Sequence, residues 1–397
     1  MNRLRTIDGF RGFFLLFMGI VHFNGITDSV LGRLNHHRFG WVQDAQGFVF
    51  ISGLVVGLVY GRKYLRNPSI SAIYDPILRR VGTIYSHQAG LVLILLAAAL
   101  LLGSAAPSNL SAYQREPVAF TVSSLLLITA STHLGILPMY IFYLLATPFA
   151  FHALGRGHVV PFFLAILLSW LFAQTGLIEF GMEALADGLL RWDLELNFGI
   201  GFNAFAWQLF FFGGLYFGFR MAEGRLDLGW LAEPQYRVAF QMSVLAIVAL
   251  GLFYRAVNWH MLGPAYSLSF DARTDRGLLT FIFPIAFLLD LFAVVWMLRI
   301  GVTDRNAWIR LPSVAVAWLF SRQSLVVLGQ HSLHVFSFHI LVFYLLATIV
   351  PRFDLSAAGR ALVLVAATAS LYLAAYGHAW LQARDTRRKA PAAAVEG

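Results

Sequence analysis

The sequence contains no cysteine, and only 12% of its residues are charged, whereas a typical soluble domain has about 25%. The lack of cysteine excludes disulfides, thiolate nucleophiles and acyl-cysteine intermediates, and it leaves the redox compartment open. Hydrophobic residues make up 59% of the chain, and its mean hydropathy is +0.70. This composition predicts a polytopic membrane protein, in which the many phenylalanines and tryptophans suit lipid contact and interfacial positions.

The net charge is +9, which by itself would be compatible with nucleic-acid binding. The basic residues are nevertheless spread among short segments between the apolar runs instead of forming one block. We therefore expect no nucleic-acid partner, and we take the basic residues as indicators of membrane topology.

Ten apolar runs are long enough to cross a bilayer, which takes about 20 residues. They cover residues 10–28, 41–60, 84–103, 134–154, 160–177, 203–220, 236–255, 278–298, 330–350 and 361–382. Two weaker stretches remain, for which we predict a re-entrant segment at 117–131 and an amphipathic interfacial segment at 312–329. No small-residue cleavage site follows the first run, so we expect it to be a retained signal anchor.

The positive-inside rule orients these spans. With the N-terminus in the cytoplasm, basic pairs such as Arg62–Lys63 and Arg79–Arg80 fall on the inner side, and the 178–202 loop, rich in Asp and Glu, falls outside. The sequence thus predicts an all-α, polytopic integral membrane protein with about ten transmembrane helices and both termini cytoplasmic. No internal repeat is evident, so we predict one transmembrane domain over 1–384 and a disordered cytoplasmic tail at 385–397.

The first span, "DGFRGFFLLFMGIVHFNG", carries three ionisable residues. Asp8, Arg11, Leu15, Met18 and His22 follow an i, i+3, i+7 spacing and so form one stripe on a helix. Ionisable residues inside a membrane are costly and are usually paired and functional. Asp8 and Arg11 could instead be interfacial flanks whose side chains reach water. His22 lies deeper in the run, which favours a functional role.

Arg79 and Arg80 open the third span, with His87 two turns further on. Arginine at a membrane edge is suited to phosphate, because its guanidinium can bind two oxygens at once. The pair predicts a site for the pyrophosphate of a cytoplasmic cofactor or, alternatively, for anionic lipid headgroups.

Further polar residues lie at the starts of later spans. Asn203, Trp207 and Gln208 open the sixth span, and Tyr140 lies near the start of the fourth. Amide side chains in lipid must find protein partners, and interhelical bonding would account for them without any catalytic role.

Three histidines, His331, His334 and His339, lie in "LGQHSLHVFSFH" at the start of the ninth span. The spacing of the first two could ligate a metal, but no HExxH pattern or nearby carboxylate accompanies them. We therefore expect no metal and predict that the histidines are packing residues near the cytoplasmic end of the span. Arg322, in the amphipathic segment, could face a cytoplasmic vestibule.

Several of these stretches together resemble a known family. "TIDGFRGFFLLFMGIVH" resembles the first helix of the membrane acyltransferase superfamily (acyltransferase 3-like), in which an arginine and a histidine eleven residues later form a motif that Arg11 and His22 match. "GWVQDAQGFVFISGLVVGLVYGRK" and "ILRRVGTIYSHQAGLVLIL" resemble its second and third helices. "ILPMYIFYLLATPF", "FNAFAWQLFFFGGLYFG" and "LGQHSLHVFSFH" are similar to its OpgC branch, associated with succinylation of osmoregulated periplasmic glucans.

The resemblance implies a multi-pass protein of the bacterial inner membrane that moves a succinyl or acetyl group from cytoplasmic acyl-CoA to a hydroxyl of a periplasmic glycan. The catalytic residues would be His22, Arg11 and Asp8. Candidate cofactor-binding residues are Arg79, Arg80, His87 and Arg322, and candidate substrate or oxyanion residues are Tyr140, Asn203, Trp207 and Gln208. His22 would act as a general base, since histidine titrates near neutral pH, or would itself become acylated.

Two other classes of function stay open at this point. A proton-coupled transporter or flippase of a glycan or lipid-linked substrate would also use intramembrane histidine and arginine, although such proteins often show an internal repeat. The second class is a scaffold subunit of a glucan-export machine. A homo-oligomer is equally open, because lipid-facing and partner-facing apolar surfaces look alike in sequence.

Overall fold

The computed structural model describes residues 2–34, 36, 41–131, 133–196, 198–199, 201–266 and 277–393, with side chains described between residues 5 and 384. The described residues are 81% helical. No strand occurs in these ranges, where the only β-type pairing reported is an isolated bridge between Thr129 and Gly199. The all-α expectation is confirmed.

Contacts divide the chain into two compact units, one formed by Met1–Asn35 with Val302–Gly397 and the other by His36–Gly301. The prediction of one domain over 1–384 stays a prediction.

The first unit joins the N-terminal helix to the C-terminal ones. Its helices are α1 (Asn2–Thr27), α12 (Ala307–Phe320), α13 (Gln323–Gln330), α14 (Ser332–Ile349) and α15 (Ala357–Ala393). Helix α1 packs against all four of the others. Helix α15 runs past residue 384, where the tail was predicted to begin.

The second unit contains the other α-helices whose bounds the structure describes. They are α2 (Asp44–Arg66), α3 (Ile70–Leu102), α4 (Ser111–Arg115), α5 (Pro117–Leu125), α6 (Ile136–Gly155), α7 (Val159–Ala173), α8 (Leu177–Leu190), α9 (Ala204–Ala222), α10 (Pro234–Asn258) and α11 (Ile282–Arg299). The closest packing in this unit is between α2 and α9.

Among the described residues, eight helices are long and apolar enough to cross a membrane, or up to ten if each of two bent pairs forms one span. The eight are α1, α2, α3, α6, α10, α11, α14 and α15. This number agrees with the expected ten or so. The cytoplasmic placement of both termini stays a prediction, since it depends on the charge bias alone.

The structure differs from the predicted spans in three places. Helices α12 and α13 form a bent pair, with an angle of 49° at the break, where an interfacial segment was predicted at 312–329. Helix α7 forms a similar pair with α8 (48°), so the predicted outer loop at 178–202 begins with a helix. Helix α9, predicted as the sixth span, is not among the candidates. It is 19 residues long. Because it packs along α2, only a small part of its surface would have to be apolar enough to face lipid.

Helices α4 and α5 run back alongside α3. The Tyr85 hydroxyl donates a hydrogen bond to the Leu125 carbonyl (3.1 Å), and the Gln114 side-chain amide donates one to the Ala99 carbonyl (3.2 Å). Tyr85 and Ala99 are about 21 Å apart along the helix axis at 1.5 Å per residue. The segment therefore follows α3 for several turns, and its re-entrant character stays a prediction.

Helices α2 and α9 are held in backbone contact by glycines on both of them. A Cβ atom added to Gly53 would lie 1.9 Å from the Phe211 carbonyl oxygen, and one added to Gly214 would lie 2.0 Å from that of Phe50. Small residues of this kind let membrane helices approach closely, where packing provides most of the association energy.

We predict that Gly214→Ala destabilises the protein and that Gly213→Ala does not. The first substitution places a methyl group against backbone of α2, which should cost about 1–3 kcal/mol as an overpacked contact. The neighbouring Gly213 has no atom within 4 Å of an added Cβ, so it is a matched control on the same helix. Thermal unfolding of the purified protein in detergent measures both, and equal melting temperatures for the two variants would contradict the predicted contact.

Candidate functional site

The polar stripe of α1 faces the interior of the first unit. Leu15 and Met18, the apolar members of the stripe, are buried (0% and 6% exposed), and Asp8, Arg11 and His22 are half-buried. This orientation brings the ionisable residues of the first span against α13 and α14, as expected of intramembrane polar groups.

Close backbone contact between α1 and α13 aligns the two helices. A Cβ atom on Gly12 would lie 1.8 Å from the Leu325 carbonyl oxygen, and one on Gly329 would lie 1.9 Å from the Asp8 carbonyl oxygen. At this separation even short side chains of neighbouring residues can meet across the interface.

Two polar pairs follow from this contact. An Arg11 Nη2 atom donates a hydrogen bond of 2.6 Å to the Ser332 hydroxyl. The Gln330 side-chain amide lies 3.5 Å from the Asp8 carboxylate, as a long hydrogen-bond donor. Arg11 and Asp8 are thus tied to the residues on either side of the α13–α14 junction.

The third polar pair along the α1 stripe consists of two histidines. His22 Nδ1 lies 3.0 Å from His339 Nε2, and the two rings are stacked with their centroids 5.2 Å apart. His339 is fully buried, and its Nδ1 lies 2.6 Å from the Phe336 carbonyl oxygen. His22 therefore faces protein and belongs to a chain of three hydrogen-bonding groups.

The structure revises the interpretation of the three histidines His331, His334 and His339, of which the first lies just before α14 and the other two on it. They were predicted to be packing residues near one end of the span, but only His331 and His334 lie there. His331 Nδ1 is 2.9 Å from His378 Nδ1, and the His334 ring stacks on His378 at 3.4 Å between centroids. Within the described part of the chain, no group of three or more His, Cys, Asp or Glu residues could hold a metal ion.

Arg322, predicted to bind a cofactor, is exposed at the bend between α12 and α13. Its guanidinium lies 3.6 Å from the centre of the Trp318 ring, a close cation–π contact. Arg5 lies at the same bend, where it donates hydrogen bonds to the Ser321 carbonyl (3.3 Å) and to the Gln323 side chain (2.9 Å). Two guanidinium groups therefore lie at one bend of the first unit.

The other predicted cofactor residues lie on α3 of the second unit. Arg79 is exposed, and Arg80 and His87 are half-buried. Tyr60, on α2, lies near both Arg80 and Tyr140.

The amide and indole donors of α9 are directed at protein oxygens. Asn203 caps the helix, since its Oδ1 accepts from the backbone N–H groups of residues 205 and 206, and its Nδ2 donates to Glu179 (2.7 Å). Trp207 donates to the Gly277 carbonyl (2.9 Å), and Gln208 donates to the Ile166 carbonyl (2.8 Å). These contacts give all three residues a structural role, and their oxyanion role stays a prediction.

Sequence reasoning missed the partners of the α1 stripe, namely Gln330, Ser332 and His339. A signal was present, because Ser332 and His339 are seven residues apart and so lie on one face of a helix. The two hydrophilic positions in an apolar span could have been paired with Arg11 and His22 on that basis. The roles predicted for the site residues stay predictions, and they divide between the units: Asp8, Arg11, His22 and Arg322 lie in the first, and Arg79, Arg80, His87, Tyr140, Asn203, Trp207 and Gln208 lie in the second.

Comparison with known proteins identifies the family. A sequence model described as "OpgC protein" matches residues 3–383, which is nearly the whole chain. No curated protein and no solved structure matches this sequence. The match includes both the α1 stripe and the helices that carry its partners, and on this coverage the chain belongs to the OpgC family.

Proposed function

We propose that this protein is a membrane O-acyltransferase that moves an acyl group, a succinyl group in the first instance, from cytoplasmic acyl-CoA to a hydroxyl of a periplasmic glucan or related glycan. Membership of the OpgC family suggests a glucan-modifying membrane enzyme. The observation that carries the proposal is the orientation of His22, an imidazole inside a candidate span, directed into the protein and hydrogen-bonded to His339.

His22 has the chemistry that acyl transfer to a hydroxyl needs. As the acceptor oxygen attacks the thioester carbonyl carbon, His22 takes the hydroxyl proton. The carbon–sulfur bond then breaks, and the proton passes from His22 to the departing sulfur, so that CoA leaves as a thiol and an ester remains on the acceptor. In an alternative route the acyl group first bonds to His22 and is then transferred.

Arg11 would act on a different part of the substrate from His22. The two residues are separated by eleven positions, about 16 Å along the helix axis. One small reacting group cannot contact both, but an extended acyl-CoA can. Arg11 is also fixed by Ser332 (2.6 Å), which limits its motion and suits it to orient a donor. Asp8, next along the stripe, would hold this end of α1 in place through Gln330.

Arg79 and Arg80 are the proposed ligands of the CoA phosphates, with His87 nearby on the same helix. Arg80 is the stronger candidate, because it is half-buried whereas Arg79 is exposed. Partial burial strengthens a guanidinium–phosphate contact relative to one in water.

We predict that His22→Ala and Arg11→Ala strongly reduce acyl transfer. Purified protein incubated with succinyl-CoA and glucan should release CoA, and loss of the general base should lower this rate by about 10²–10⁴-fold. His158→Ala, which removes an exposed histidine, is the matched control and should retain full activity. CoA release that survives both site substitutions would refute the assignment.

We predict that Arg80→Gln raises the KM for acyl-CoA at least tenfold and changes kcat little. A charge-assisted hydrogen bond contributes about 1.5–3 kcal/mol, and a tenfold change corresponds to about 1.4 kcal/mol. Arg62→Gln, an exposed neighbour at the end of α2, should leave KM unchanged. If KM is unaltered by Arg80→Gln while binding to vesicles of anionic lipid weakens, the residue binds headgroups and not the donor.

The rival function is proton-coupled transport, which the hydrogen-bonded pair of His22 and His339 would also suit as a proton relay. Sealed vesicles containing the protein separate the two. We expect labelled glucan to be acylated only when acyl-CoA is supplied, with one CoA released for each acyl group transferred. Uptake of glucan into the vesicles without CoA consumption would favour the transporter.

A further inference from the structure

His339 is a buried titratable group to which the proposed reaction gives no task. It is fully buried on α14, and each of its ring nitrogens has a close polar neighbour: the Phe336 carbonyl oxygen at 2.6 Å from Nδ1 and His22 Nδ1 at 3.0 Å from Nε2. The identities of these neighbours determine where the ring protons lie.

The Phe336 carbonyl fixes the first proton. A carbonyl oxygen only accepts hydrogen bonds, so the nitrogen facing it must carry the hydrogen. His339 therefore donates from Nδ1 to its own helix backbone, one turn back. The carbonyl has two lone pairs and can accept this bond in addition to a helical one.

Burial fixes the protonation state of the second nitrogen. A charged imidazolium at a site with no solvent exposure would incur a large desolvation cost, so the neutral ring is favoured. A neutral ring with its hydrogen on Nδ1 carries a lone pair on Nε2, which can only accept. The hydrogen between the two rings must then come from Nδ1 of His22.

We infer that His339 is a positioning residue that holds His22 in its Nδ1–H tautomer and so leaves Nε2 of His22 as the basic nitrogen. This inference rests on the proposed function for its catalytic meaning, but the tautomer itself is a property of the resting protein. The order of hydrogen bonds is His22 Nδ1–H to His339 Nε2, then His339 Nδ1–H to the Phe336 carbonyl. In a histidine, the hydrogen bond made by one nitrogen sets the role of the other.

The arrangement also stabilises the charged intermediate state of His22. When Nε2 takes the acceptor's hydroxyl proton, the ring becomes an imidazolium whose Nδ1–H is already directed at the His339 lone pair. The charge can be shared between the two rings through this bond, and it disappears when the departing CoA sulfur takes the proton from Nε2. No proton has to leave through His339, because the carbonyl at its far end cannot receive one.

The tautomer can be measured directly. In full-length protein labelled with ¹⁵N-histidine in lipid, the His22 signals, assigned by comparison with His22→Gln, should show a protonated Nδ1 and an unprotonated Nε2 in the absence of substrate. His339 should show the same pattern. An Nε2-protonated His22 would overturn the inference, whether or not the protein transfers acyl groups. If the tautomer is as inferred but no CoA is released, the proposed function fails and the positioning arrangement stands.

Kinetics test the consequence for the reaction. His339→Leu removes the acceptor for the His22 hydrogen and should lower kcat about 10²-fold, the lower end of what a general base contributes, with little change in KM. His339→Gln supplies an amide oxygen that can accept the same hydrogen, so it should recover most of the activity. If His339 had a merely structural role, His339→Leu would keep more activity than His339→Gln, because leucine suits a buried site better than glutamine does.

His334→Leu is the matched control on the same helix. His334 stacks on His378 and is outside the chain of bonds to His22, so this variant should keep the wild-type kcat and the wild-type His22 tautomer. Wild-type activity in His339→Leu, or equal loss in His339→Leu and His339→Gln with both folded, would contradict the inference.

Discussion

The contact between His22 and His339 is the interaction on which the site depends. Polar groups inside a membrane have no water to bond with, and leaving one unsatisfied is costly. His339 meets this requirement with one backbone carbonyl and one imidazole, and its single position on α14 therefore determines the direction of His22. Two further polar pairs lie nearer the start of α1, where Arg11 bonds Ser332 and Asp8 bonds Gln330.

These pairs are possible because glycine lets the helices approach. Gly12 and Gly329 place the backbones of α1 and α13 in direct contact, so that the residues beside them meet without long side chains. The second unit uses the same device between α2 and α9. In both units, close packing at small residues stabilises the helix contact, because the hydrophobic effect is weak between helices surrounded by lipid.

Residues of one chemical type have different roles according to their surroundings. The amide of Asn203 caps a helix and bonds Glu179, and that of Gln208 bonds a neighbouring helix, whereas Gln330 faces a carboxylate of the predicted site. The histidines at 331, 334 and 339 divide in the same way, with two against His378 and one against His22. Side-chain chemistry alone could not separate these roles, because each depends on which backbone or side chain lies opposite.

The sequence by itself determined the membrane class, most of the spans, the family resemblance and the polar stripe of α1. These depend on composition, run length and helical periodicity, all of which are local. Only the tertiary structure decided that His339 is the partner of His22, that α12 and α13 form a bent pair and that α9 is packed along α2. His22 and His339 are 317 residues apart in the chain, and the periodicity of a single sequence shows which face a residue occupies but not which distant helix covers that face.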